Sequence, residues 1–215
     1  MVTFLAVAIN QQQNTYKLVF KDGFESFPRN WTIETGYGTV TKSSNVKPDG
    51  SYSLRIYSPD VTDYADAYTS VPGSNNTDFH IQIWFYVDYA VVPDHFYIAE
   101  CRDSKAIVQN RIVVNDEAGV CYIEILHKGD GYNPANYMNI CEVSKNTWHK
   151  LDLYWLNSLS IYNVHVDDLG YGSFQPRDSN INVERLYLGD STVGGGGFMG
   201  LVYYDNLTIE RSPID

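Results

Sequence analysis

The sequence predicts an all-β protein, an antiparallel two-sheet sandwich of the jelly-roll kind. Three observations carry this. No stretch keeps a helical period of apolar residues. Short runs of alternating apolar and polar residues recur along the chain instead. Gly, Pro, Asn and Asp break these runs at close intervals, as turns between strands require. With 215 residues and 44% hydrophobic content the chain can bury a core.

Taken in order, the runs define twelve strands. Residues 16–20 alternate and stop at Asp22-Gly23, residues 50–57 follow, and 65–70 end in a turn through Pro72-Gly73-Ser74-Asn75-Asn76. The clearest strand is 79–88, where Ile81, Ile83, Phe85 and Val87 share one face and His80, Gln82, Trp84, Tyr86 and Asp88 the other. Strands at 96–101, 107–114, 120–127 and 137–143 come next, each bounded by polar or glycine-rich turns. The remainder lie at 148–155, 161–166, 186–189 and 201–210, with Gly194–Gly197 as a loop that lacks the Lys-Ser/Thr of a phosphate loop. Many short strands in one chain read as a sandwich or jelly roll.

The ends suggest two parts. Residues 1–15 hold an apolar run, Val2 to Ile9, and a polar linker; residues 16–215 form a single sandwich domain. The apolar run is too short to span a bilayer, so no transmembrane segment is expected. Three readings of it stay open: a signal remnant, a strand of the domain, or a donor strand that completes a neighbour's sheet and drives self-assembly through residues 1–9. Fifteen Lys+Arg against 26 Asp+Glu give a net charge of −11, which argues against nucleic-acid binding. Cys101, Cys121 and Cys141 lack metal spacing and leave one disulfide or three thiols open. The sequons at Asn30, Asn75 and Asn206 add weak support for an extracellular or surface-exposed protein.

Strand parity sorts the aromatics. Leu151, Leu153 and Trp155 face the core while Lys150, Asp152 and Tyr154 face away; Cys121, Ile123 and Ile125 face in while Tyr122 and Glu124 face out. If these strands are neighbours, Trp84, Tyr86, Tyr122 and Tyr154 form one surface interleaved with Gln82, Glu124 and Asp152. Aromatic faces stack on the C–H faces of sugars and the polar groups bond hydroxyls, so this set is the candidate carbohydrate-binding surface.

Several motifs also carry a family likeness. Leu18-Val19-Phe20-Lys21-Asp22-Gly23-Phe24-Glu25-Ser26 with Trp31, and Gly50-Ser51-Tyr52-Ser53-Leu54-Arg55-Ile56, resemble the opening of jelly-roll carbohydrate-binding modules. Asn146-Thr147-Trp148-His149-Lys150-Leu151-Asp152-Leu153 leading to Val164-His165-Val166-Asp167-Asp168 is similar to the concanavalin A-like and laminin-G-like pattern, with Asp168 where Gly is usual. Leu186-Tyr187-Leu188-Gly189-Asp190 and Gly200 to Ile209 resemble that family's closing strands. The likeness spans residues 16–211 and implies a concanavalin A-like fold; it speaks far less to function. It also implies a structural calcium site built from Asp22 and Asp205, with Glu25 as a further ligand. The parity of Asp22 with Phe20 and of Asp205 with Leu207 points both carboxylates inward, where a hard cation relieves their repulsion. The competing reading is an ordinary Asp-Gly turn and a bulge capped by Asp205.

Jelly rolls also host enzymes. The Glu-x-Asp-x-x-Glu run of sandwich hydrolases is absent, and Glu124 has no carboxylate partner on its own strand at that spacing. Lyase-type residues occur singly, as His80, Gln82, Tyr86 and Arg111, without the motifs of those families. No nucleophile elbow is present, and His127, His149 and His165 lack metal-ligand spacing. The leading expectation is a non-catalytic, extracellular, lectin-like domain with a glycan or polysaccharide partner. The alternatives are a structural subunit of a filament, coat or virion, and a polysaccharide lyase or glycoside hydrolase.

Overall fold

The computed structural model describes residues 16–60, 62–72, 77–126, 137–178, 182–190 and 199–212. The expectations for residues 1–15, for the sequon at Asn75, for His127 and for the glycine run at 194–197 lie outside the described residues. The described residues hold fifteen strands: β1 (Lys17–Asp22), β2 (Thr32–Thr35), β3 (Thr39–Ser43), β4 (Ser53–Ser58), β5 (Ala65–Ser70), β6 (Phe79–Val87), β7 (Phe96–Arg102), β8 (Val108–Glu117), β9 (Val120–Leu126), β10 (Tyr137–Glu142), β11 (Trp148–Leu156), β12 (Ile161–Val166), β13 (Leu169–Phe174), β14 (Arg185–Asp190) and β15 (Gly200–Arg211). Among the described residues the only helix is a 3-10 turn at Asn157–Leu159, and no helix is long and apolar enough to cross a membrane.

The strands form two antiparallel sheets. The first runs β13-β12-β11-β6-β15-β4-β3, with β1 also paired to β15; the second runs β10-β9-β8-β7-β14-β5-β2. Chain neighbours often fall in opposite sheets, as β4 and β5 do, and this crossing makes the structure a jelly roll rather than a meander. The alternation read from the sequence sets the inner faces. Ile81, Ile83, Phe85, Leu151, Leu153 and Trp155 of the first sheet meet Ile98, Ile112, Val114, Ile123 and Ile125 of the second, all buried. Each such side chain contributes about 1.5–3 kcal/mol of burial. Trp155 lies between Phe79 and Tyr162, parallel to both within 8° at 5.6 and 5.8 Å, and closes one end of the core. Cys101, Cys121 and Cys141 are free thiols; burial pushes Cys121 up to about 12 and Cys141 up to about 11.

Twelve strands fall where the alternation puts them. The other three, β2, β3 and β13, are edge strands. They bury little, so they carry no apolar alternation to read.

Candidate functional site

Two faces of the sandwich point away from the core, one on each sheet. The proposed surface is divided between them. Gln82, Trp84 and Tyr86 of β6 and Asp152 and Tyr154 of β11 do share the outer face of the first sheet, on adjacent strands. Tyr122 and Glu124 of β9 lie on the outer face of the second sheet, across the core. The single aromatic surface expected from parity is therefore corrected: parity gives a residue's side, but not which sheet its strand joins.

On the first sheet, Asp152 accepts hydrogen bonds from Gln82 Nε2 at 2.9 Å and sits 2.7 Å from His80 Nε2. Burial works against the ionised form of Asp152, but these partners outweigh it and hold its pKa below the usual carboxylate range. Tyr154 stacks on the His80 ring at 4.2 Å, and Tyr86 packs on Trp148 and Tyr203. Trp84 lies between Lys150 and Asp205 on the neighbouring strands. The face is a half-buried layer whose polar groups already bond one another.

The second sheet carries the denser chemistry, and a bulge in β7 creates it. Ile98 and Ala99 both enter the core, at a register shift against β8. The shift puts Tyr97, Glu100 and Arg102 together on the outer face, which strict alternation would not do. The register then aligns Tyr68 of β5, Tyr187 of β14, Glu100 of β7 and Arg111 of β8 in one row across four strands. One step along the strands, Arg185 lies directly opposite Arg102. In the other direction, Asp66, Gly189, Tyr97, Val113 and Glu124 form the next row.

Within this face Tyr68 and Tyr187 stack at 4.6 Å. The Arg102 guanidinium lies 3.9 Å over the Tyr187 ring, and that of Arg111 lies 4.5 Å over Tyr97. Glu100 is fully buried; it accepts from Arg111 Nε at 2.5 Å through one oxygen and from Arg102 Nε at 2.5 Å through the other. Arg111 also donates to the Tyr137 hydroxyl at 3.0 Å. Buried charges persist only when paired, and breaking such a pair costs about 3–5 kcal/mol.

His95 holds the far side of the face. It adopts a left-handed backbone, φ 47°, immediately before β7. Its Nδ1 lies 2.6 Å from Asp94 and its Nε2 3.3 Å from Glu124. Burial alone would lower its pKa, but these two carboxylates outweigh that and raise it to about 9. Glu124 also accepts from Asn115 Nδ2 at 2.8 Å. Asp66 is the unusual acid. It is fully buried, neither of its oxygens has a hydrogen-bond partner, and burial followed by the nearby Glu34 charge pushes it up to about 8.

The expected cation residues fall at the start of β1's turn and in β15. Asp22 faces inward opposite Leu207, as parity predicts. Its oxygens accept from the Phe24 N–H at 2.6 Å and the Trp31 indole N–H at 2.8 Å. Glu25 accepts from the Ser51 and Tyr52 N–H groups, which lowers its pKa. Asp205 departs from expectation. A bulge at Asn206, φ 49°, breaks the parity with Leu207 and sets Asp205 opposite the outward Trp84. Asp205 caps that bulge through the Asn206 N–H at 2.7 Å, while its Oδ2 is buried with no partner. Burial pushes Asp205 up to about 6, and the Glu25, Asp49 and Asp22 charges add to the shift. No cluster of three metal-ligating side chains occurs among the described residues.

The pairing of Arg102, Arg111, Tyr187 and Glu100 was beyond sequence reasoning, because the β7 bulge has no apolar alternation to reveal it. The available signal was composition: Glu100 and Arg102 flank Cys101 in a run otherwise apolar.

No protein-family model matches the chain, and no curated protein matches it by sequence. Its structure is similar to that of a carbohydrate esterase from the Shiga toxin-encoding bacteriophage phi24B, with TM-score 0.65 and 12% identity over 92% of this chain and all of the other. It is similar to endo-β-1,4-glucuronan lyase from the fungus Trichoderma reesei, with TM-score 0.63 and 15% identity over 90% of this chain and 95% of that one. Domain 4 of AbnA, an extracellular arabinanase from Geobacillus stearothermophilus solved with arabinotriose, matches at TM-score 0.54 and 14% identity, over 93% and 95% of the two chains. At these identities the likeness is one of fold alone, an antiparallel two-sheet jelly roll.

Proposed function

We propose that this chain is a non-catalytic, lectin-like domain that binds a glycan outside the cell or at a surface, across the outer face of the second sheet. The observation that carries this reading is the row Tyr68, Tyr187, Glu100, Arg111: a stacked aromatic platform joined to a rigid ion cluster. Tyr68 offers apolar ring area, and the partly exposed Arg102 and Arg185 beside it offer N–H groups for hydroxyls, with Glu100 and Arg111 beneath as a buried support. The carbohydrate-related fold supports the same reading.

The groups a hydrolase or lyase would use are engaged otherwise. Glu100 already accepts from two arginines, and His95 stays protonated at neutral pH, so it is not a free base. Asp66 is the exception, since a neutral buried carboxyl is what a general acid needs. Release of sugar products that ceases in Asp66→Asn would replace the binding reading with catalysis.

The test is a glycan array with the wild type, Tyr68→Ala and Trp84→Ala. Binding is expected, with at least a tenfold loss in Tyr68→Ala and no change in Trp84→Ala. The reverse pattern moves the site to the first sheet, to Gln82, Trp84, Tyr86, Asp152 and Tyr154. No binding to any glycan by folded protein overturns the proposal.

A structural calcium ion belongs to the same proposal. The buried, unpartnered Oδ2 of Asp205 beside the acidic turn of Asp22 and Glu25 supports it. Asp205 would supply the free oxygen, and Asp22 and Glu25 the lone pairs their N–H partners leave open. Calcium would tie β15 to the turn after β1 and neutralise the three carboxylates. Addition of calcium to chelator-treated protein is then expected to raise Tm at pH 7, and Asp205→Asn to remove the response. A chelator-insensitive Tm in the wild type counts against the ion.

A further inference from the structure

The face that carries the aromatic platform is also where this acidic chain concentrates arginine. The sequence holds seven arginines and a net charge of −11, yet Arg111, Arg102 and Arg185 lie on the three adjacent strands β8, β7 and β14, in that order. Arg185 and Arg102 are direct cross-strand partners, an arrangement of like charges that disfavours the sheet unless something anionic lies between them. Glu100 serves Arg102 and Arg111. Arg185 is half-buried, 5.7 Å from the Tyr68 ring, and bonded to the Tyr187 hydroxyl. Opposite it on β5 stands Ser70, so that side of the row adds no carboxylate.

We propose that the glycan bound here is a uronate polymer, with a ring on Tyr68, which the buried Tyr187 backs, and its carboxylate on Arg185 beside Arg102. This rests on the glycan-binding reading above and narrows its ligand. The chemistry is specific. A guanidinium presents two parallel N–H groups that match a planar carboxylate, and it does so best when its plane is already fixed by packing on a ring. A pyranuronate places its carboxylate at the rim of the same ring whose C–H face stacks on an aromatic. The stacked tyrosines and the arginine beside them reproduce that spacing of apolar face and charged edge. A neutral glycan would use the platform but would give Arg185 no charged partner beyond Glu184 beside it in the chain.

The test compares polygalacturonate with the same polymer after reduction of its carboxyl groups, and with dextran sulfate, by affinity electrophoresis of the wild type, Arg185→Gln and Arg185→Lys. The expected result is at least tenfold tighter binding of polygalacturonate than of the reduced polymer. That preference should weaken with added salt, vanish in Arg185→Gln and return only in part in Arg185→Lys, which keeps the charge and loses the fork. Equal binding of the acidic and reduced polymers overturns this inference and leaves glycan binding standing. Equal or tighter binding of dextran sulfate replaces carboxylate recognition with attraction by charge alone and overturns it too. Binding of none of the three sets aside both readings for this class of polymer. The wild-type comparison needs no variant, so it stands even if Arg185→Gln lowers stability.

Discussion

Asp66 ties the stability of this protein to pH. Its carboxyl has no hydrogen-bond partner, lies beside Glu34 and Glu100, and holds its proton to about pH 8, whereas in an unfolded chain it releases it near 4. The native state therefore binds more protons than the unfolded state between those two values. Stability from this group is complete below about pH 4 and is lost progressively as pH rises towards 8. His95 acts in the same direction, with its window from about 6.5 to about 9. Asn mimics the protonated carboxyl at every pH. Asp66→Asn should match the wild type near pH 4 and exceed it in Tm by a margin that grows up to pH 8, with the slope from His95 remaining. A margin independent of pH across thermal melts would contradict this account.

Elements explain what was legible and what was not. Wherever a strand buried one face, as in Phe79–Val87 or Trp148–Leu156, alternation revealed both its existence and its inward residues. It failed in two physical situations. Edge strands β2, β3 and β13 bury too little to show a pattern, and bulges change the side on which a residue emerges. The bulge at Ile98 and Ala99 built the Tyr97, Glu100 and Arg102 face, and the one at Asn206 turned Asp205 away from its expected side. Of the residues proposed from parity, the five on β6 and β11 do lie together, because those strands pair directly; Tyr122 and Glu124 needed knowledge of the partner sheet. Gly189 sits at the irregularity between β14 and β7 that the second face depends on. Its φ is 96°, and a Cβ there would approach the Ala65 carbonyl oxygen to 2.4 Å. Gly189→Ala should lower stability by about 2 kcal/mol or more, read by urea denaturation. A change below about 0.5 kcal/mol would mean that the strand tolerates an ordinary residue there.

At the scale of the molecule, the chain carries a net charge of −11, and the partly exposed Arg102 and Arg185 stand side by side on one face. If that pair receives an anionic chain, the net negative charge of the rest of the protein opposes its binding elsewhere, so affinity should rise with added salt for variants that lack Arg185 and fall with it for the wild type. The two sheets also depend on contacts far apart in sequence, since β6 pairs with β15 and β7 with β14. Folding therefore closes long loops before it gains their contacts, which places this chain in the slow, millisecond-to-second class of β proteins.

The pairing of β1 with β15 has a further consequence. Lys17 stands opposite Arg211, so residues 16 and 212 lie at one corner of the sandwich. A short glycine-serine bridge between residues 16 and 212, with new ends opened at the exposed turn Ala118-Gly119, should yield a circular permutant that melts within a few degrees of the original. In that sense the fold is a closed circuit, and the place where the described chain starts is a matter of connectivity more than of architecture.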